Sequence, residues 1–197
     1  MDTQIPEVSY PDSPGAWYAV WFAAAQAYSP RRMLPLLRGF NPADRAPLLW
    51  VLFSSPVVFL PNLIAVARSG HLVVGLGLLC SPFIFAVLGL FWVALLTALV
   101  SFIAGKLLGG KGSYAKLFYL FAAVYSPLSI LRAVVSGAAM FVPPAGQLHT
   151  AIFLYQWFLF AVATRTVHGF GWWRAILAVV PVGIGIYLLS WLLEQAS

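Results

Sequence analysis

The sequence predicts an all-α integral membrane protein: a five-transmembrane-helix bundle with an N-terminal amphipathic interfacial segment. Three observations carry that expectation. Of the 197 residues, 62% are hydrophobic and 8% are charged, against roughly a quarter charged in soluble domains. A chain of this size could not hide so much apolar surface from water. Apolar blocks follow one another from Ala46 onward, each bounded by charge. The positive residues collect at alternate block ends, the asymmetry that orients membrane proteins. The net charge of +6 is therefore read as topology, and no nucleic-acid motif accompanies it.

Residues 1–12 read as a polar cytoplasmic tail. MDTQIPEVSYPD carries Asp2, Glu7 and Asp12, no early positive residue and no apolar core, unlike a cleaved leader. Residues 13–45 form an interfacial amphipathic segment and a basic linker. Ser13-Pro14 is a helix start, and Trp17, Trp21, Ala24 and Tyr28 recur at helical spacing. The uncharged stretch is too short to cross a bilayer, which suits an in-plane helix anchored by Trp17 and Trp21. A segment packed on the cytoplasmic end of the bundle fits the pattern equally. Arg31, Arg32 and Arg38 come next, placed to meet anionic headgroups.

The transmembrane domain, 46–197, holds spans at about 46–67, 81–105, 117–136, 148–165 and 175–193, each near the ~20 residues a crossing requires. The second block, Ser69 to Gly105, is long for one span and short for two with a turn. One span keeps Arg31, Arg32, Arg38, Arg45, Lys106, Lys111, Lys116, Arg165 and Arg174 on one side. Only Arg68 and Arg132 then face the other. Helix two is expected to start at Ser81-Pro82, with Ser as cap and Pro in the first turn. That leaves 71–80 as a re-entrant or interfacial piece. Helix three carries Arg132 near its outer end, within snorkelling reach of the surface, and PPAG at 143–146 makes the outer turn. The N-terminus is expected in the cytoplasm and the C-terminus outside, in the cell (inner) membrane.

KLLGGKGSYAKLFYL, from Lys106, nearly completes a phosphate-binding loop. Gly105, Gly110 and Lys111 fit G-x-x-x-x-G-K-[ST], but Gly112 stands where a hydroxyl should hold the metal. A helix precedes it instead of a strand, and every carboxylate lies near a terminus or at Asp44. The stretch is read as a glycine C-cap and a tight turn, with Lys106, Lys111 and Lys116 facing lipid phosphates. No nucleotide is expected.

Pro56, Pro61, Pro127 and Pro181 fall within spans and free backbone carbonyls that neighbouring Ser can help satisfy. Such kinks either shape packing or line a cavity. Trp50, Trp172 and Trp173 are expected as interfacial anchors, and Trp92 and Trp157 as core residues. Ala94/Ala98 and Ala122/Ser126 permit close helix contact, internally or in a dimer. Gln156, in mid-helix four, and Arg132 are the intramembrane polar residues. Gln156 suits an interhelical bond or the lining of a path. No carboxylate lies in a span, and the histidines divide between the two ends: His71 and His149 outside, His168 inside. Catalytic residues, a metal site and a cofactor are therefore not expected. Cys80, alone, forms no internal disulfide.

The glycine loop with its sequel, GGKGSYAKLFYLFAAVYSPLSIL, and VATRTVHGFGWWRAILAVVPV entering helix five resemble the bacterial branch of the Yip (Ypt-interacting protein) domain family. The similarity extends from about Trp17 over most of the chain. It implies the five-span topology with a cytoplasmic N-terminus. Eukaryotic members are Golgi and endoplasmic-reticulum proteins that bind prenylated small GTPases and shape membranes. Their D-L-Y-G-P motif is missing here. The function expected is that of a non-enzymatic membrane protein organising lipid, other membrane proteins or copies of itself. A small transporter or channel-like protein, or an accessory subunit of a larger membrane complex, is the alternative.

Overall fold

The computed structural model describes residues 45–68, 72–139, 141 and 145–196. The polar tail, the segment at 13–28 and the basic linker up to 44 lie outside these residues. Five helices occur in order: α1 (Ala46–Arg68), α2 (Leu72–Phe102), α3 (Tyr114–Ala139), α4 (Ala145–His168) and α5 (Trp172–Ala196). A π-helical turn, Ile103–Leu107, closes α2. No strand occurs among the described residues. Short connections make successive helices antiparallel, so residues 108–113 and 169–171 join the chain at the same end as Arg45. That end carries Arg45, Lys106, Lys111, Lys116, Arg165 and Arg174.

Helix is the only local way for such apolar runs to bond their own backbone where water is excluded. Pro82–Leu107, Tyr114–Ala139 and Gln147–His168 are long and apolar enough to cross a bilayer. Pro47–Val58 and Trp172–Ile186 are shorter apolar stretches within α1 and α5.

Helix two departs from expectation. It begins at Leu72, and Pro82 lies inside it rather than in its first turn. The physical reason is economy of unpaired groups. Continuing through Pro82 leaves one carbonyl without an N–H, whereas ending the helix there would strand a whole turn of them. The long second block thus becomes a single helix of 31 residues. At 1.5 Å per residue this is about 46 Å, well over a hydrocarbon core.

α3 is the central helix. It packs against α1, α4 and α2, while α5 docks chiefly on α4. Its Leu117, Leu120, Phe121 and Val124 are buried together with Val51 of α1, Val93 and Val100 of α2, and Leu159 and Val162 of α4. The Phe121 and Phe160 rings lie 4.4 Å apart. In lipid the driving force is close packing rather than exclusion of water, which favours small residues at crossings. Gly89 of α2 meets Ser55 of α1 so closely that a Cβ would overlap its hydroxyl. Gly183 of α5 lies against the Trp157 ring, 3.1 Å from where a Cβ would stand.

Several buried hydroxyls are tied to their own helices, while Ser126 Oγ has no partner among the described residues. Ser55 Oγ donates to Val51 O (2.7 Å), Thr97 to Val93 O (2.7 Å) and Thr164 to Phe160 O (2.8 Å). The outward faces are apolar instead: Phe83, Val87, Phe91 and Phe102 on α2, and Leu177, Val180 and Ile184 on α5, are all exposed.

Candidate functional site

Two polar clusters stand out, one at each end of the bundle. At the basic end, α2 is closed by its π turn, with Leu108 N–H donating to Ile103 O (3.1 Å). Gly109 then takes φ +73, and Gly110 N–H returns to Ala104 O at 2.8 Å. This bond spans six positions, one more than the five of a Schellman closure, because the π turn widens the helix end; Gly109 supplies the left-handed residue just past it. Ser113 opens α3 as its cap, its Oγ accepting Lys116 N–H at 3.3 Å.

The end of α4 comes down onto this turn. Gly169, at φ +68, reverses the chain after His168. Phe170 N–H donates to Arg165 O (3.2 Å) and Arg165 Nε–H to Phe170 O (3.3 Å). The Arg165 guanidinium lies 4.4 Å over the Trp172 ring, which stacks on Phe158. His168 stacks on Phe170 at 5.3 Å.

Gly112 N–H donates to His168 Nδ1 at 3.1 Å. With Nδ1 accepting, the imidazole proton sits on Nε2, which is buried and has no acceptor among the described residues. The approach is too close for side chains. A Cβ on Gly110 would stand 2.5 Å from His168 Nδ1 and from Phe170 Cζ; one on Gly112 would stand 2.6 Å from Val167 Cγ1. The glycines thus let the loop lock onto the α4 terminus. A phosphate cradle works through free backbone N–H groups. Here the Gly112 amide is given to His168 and the Gly110 amide to Ala104.

This joint displays lysines. Lys106, Lys111 and Lys116 are all exposed, and residues 45–193 contain no Asp or Glu. Beside Lys106 a shallow groove of about 490 Å³ runs between Ala98, Phe102 and Tyr114. The Tyr114 hydroxyl donates to Ala94 O (3.3 Å), tying α3 to α2 there.

The second cluster lies near the opposite end, on the α3–α4 seam. Arg132 Nε–H donates to His149 Nε2 at 3.2 Å, and Nη1–H to Gln156 Oε1 at 3.3 Å. The guanidinium sits 5.0 Å over the Phe153 ring. His149, Phe153 and Gln156 share one face of α4 by helical spacing. Gln156 is 4% exposed, while Arg132 is only partly buried.

Sequence reasoning treats Arg132 and Gln156 separately and leaves His149 at the surface; the structure brings the three together. It also misses His168 as the partner of the glycine loop. The signal available is a second Gly-rich turn, HGFG, on the same charged end.

Several expectations change. Trp50, expected as an interfacial anchor, is 5% exposed and packs against Tyr119 at 5.6 Å, because its helix face meets α3. Trp92, expected in the core, is exposed on α2; Ala94 is half-buried and Ala98 exposed, whereas Ala122 and Ser126 are fully buried. Trp172 and Trp173 are exposed. Helix continues through Pro56, Pro61, Pro127 and Pro181. Arg31, Arg32, Arg38, Trp17, Trp21 and His71 lie outside the described residues. No group of three His, Cys, Asp or Glu suited to a metal occurs among the described residues.

A family model described as the Yip1 domain matches residues 13–192. No curated protein and no solved structure matches the chain.

Proposed function

The chain belongs to the Yip1 domain family, and from that premise we propose that it is a non-enzymatic polytopic membrane protein whose basic end gathers anionic lipid and, through it, membrane-protein partners. The observation that carries this reading is the display of Lys106, Lys111 and Lys116 on a joint locked by glycine contacts, within a stretch that has no carboxylate. Between Arg45 and Leu193 no acidic side chain neutralises them, which leaves these lysines open to anions of the surroundings. Beside a negative leaflet each contributes about 1 kcal/mol. Three together amount to about 3 kcal/mol, or roughly a hundredfold in lipid retention. Arg31, Arg32 and Arg38 of the basic linker, expected on the same side of the membrane, add positive charge there. The positive-inside asymmetry supports placing this end in the cytoplasm of a cell membrane, with the C-terminus outside.

The test is the triple variant Lys106→Gln/Lys111→Gln/Lys116→Gln in zwitterionic nanodiscs titrated with phosphatidylglycerol. Recruitment of the anionic lipid at the basic end should fall by up to about a hundredfold at low salt, and the difference should shrink as salt screens it. Unchanged recruitment would overturn the proposal. So would micromolar nucleotide binding abolished by Lys111→Ala.

A further inference from the structure

Arg132 is a permanent cation in the span Tyr114–Ala139, and the two groups that accept its hydrogen bonds among the described residues carry no negative charge. Guanidinium does not deprotonate in proteins. Both groups that accept from it, His149 Nε2 and Gln156 Oε1, are neutral. Residues 45–193 offer no carboxylate. The two bonds use Nε–H and one Nη1–H. Three further N–H groups, the second on Nη1 and both on Nη2, meet no acceptor among the described residues.

A charge held away from water without an opposite charge is costly, and intramembrane cations are normally paired or placed to reach an anion. The placement here is specific. Two α4 side chains hold the guanidinium through Nε and Nη1, and the Phe153 ring lies 5.0 Å from it. Arg132 and His149 are only partly buried and Phe153 is exposed, so the cluster is reached from the outer surface of the bundle. From Arg132 to the end of α3 at Ala139 the rise is about 10 Å, and from the start of α4 to His149 about 6 Å. The cluster therefore lies just below the helix ends, where lipid phosphates meet the hydrocarbon.

We propose that Arg132, oriented by His149 and Gln156 on the α3–α4 seam, is a binding site for a phosphate group, carried by a lipid headgroup or free in solution. The unused Nη groups present parallel donors of the kind that grip a phosphate through two oxygens. The site is separate from the lysine surface at the opposite end. It rests on the membrane-embedded reading of α3 and α4 and is independent of the role proposed for the lysines.

The experiment begins with the unaltered protein. Modification of Arg132 by phenylglyoxal is monitored by peptide mass spectrometry in phosphate-free detergent, then with dioleoyl phosphatidylglycerol, and separately with inorganic phosphate. Protection of Arg132 by the lipid alone assigns the lipid source, and protection by inorganic phosphate as well assigns a free-phosphate source. Absence of protection by either overturns the proposal. Native mass spectrometry then compares variants. Tightly retained phosphatidylglycerol should fall about tenfold or more in Arg132→Gln, the scale of a lost charge-assisted bond. The drop should be smaller in Arg132→Lys, which keeps the charge and loses the fork. The Lys106/Lys111/Lys116 variant should keep this lipid. Full retention in a folded Arg132→Gln protein, or loss only in the lysine variant, contradicts the assignment.

Discussion

Replacing Gly112 by alanine tests whether the glycine-rich turn is a structural joint. The added Cβ would stand 2.6 Å from Val167 Cγ1 and 2.8 Å from both Val167 O and His168 Nδ1. Val167 O belongs to the α4 backbone and His168 is 7% exposed and stacked on Phe170, so neither can simply swing away. Overpacking of this kind costs about 1–3 kcal/mol. The displaced loop also loses the Gly112–His168 hydrogen bond, worth about 1 kcal/mol. Together the cost is about 2–4 kcal/mol, which for a domain of this length corresponds to a fall in Tm on the order of 5–10 °C. Gly137→Ala is the matched control. It lies inside α3 with nothing within 4 Å of its Cβ position, so alanine should stabilise by up to about 1 kcal/mol through helix propensity. Tryptophan fluorescence during a thermal ramp, in one detergent, measures all three proteins. Equal midpoints for Gly112→Ala and the unaltered protein would refute the joint. So would a Gly112→Ala protein of full stability that has lost binding of some nucleotide, since that would show a phosphate cradle.

Two further outcomes are expected from the packing and from the sequence. Gly89→Ala should lower the midpoint of thermal unfolding by forcing α1 from α2 at Ser55, and Ser55→Gly should recover part of that loss; no recovery in the double variant would place the strain elsewhere. Reading 13–28 as an interfacial helix predicts that shallow brominated lipids quench Trp17 and Trp21 more than deep ones, and that changing both to Ser releases the segment to protease while the helices from Ala46 onward stay folded. Protease resistance with no quenching at either depth would mean that it packs on protein.

Element existence is legible because the apolar blocks are long and charges bracket them. Charge asymmetry also settles block two as one helix, since a turn there would move Lys106, Lys111 and Lys116 across. The start of that helix is not legible. Ser81-Pro82 has the form of a helix N-terminus, and only the continuity of Leu72–Cys80 with the residues after it shows Pro82 to be interior. Which faces turn inward is hidden for a related reason. When a helix is apolar on every side, periodicity cannot separate core from lipid face, so Trp50 and Trp92 exchange the places expected of them. The polar clusters are hidden because they join residues far apart in sequence. Gly112 and His168 meet through a positive-φ turn at Gly169. Gln156 is recognisable as a residue in need of a partner, but Arg132 as that partner depends on the register of α3 against α4.

The site at Arg132 requires only that α3 and α4 cross the membrane; the lipid role of the lysines requires three helices between the lysine-bearing turn and the end of α5, with that turn on the cytoplasmic side. Single cysteines at Ser113 and Ser197, each in a Cys80→Ser background, measure this directly with a membrane-impermeant thiol reagent on intact cells. Ser197→Cys should be labelled from outside, and Ser113→Cys should react only after the cells are opened. Labelling of both positions from the same side, or of Ser113→Cys alone from outside, would contradict that topology.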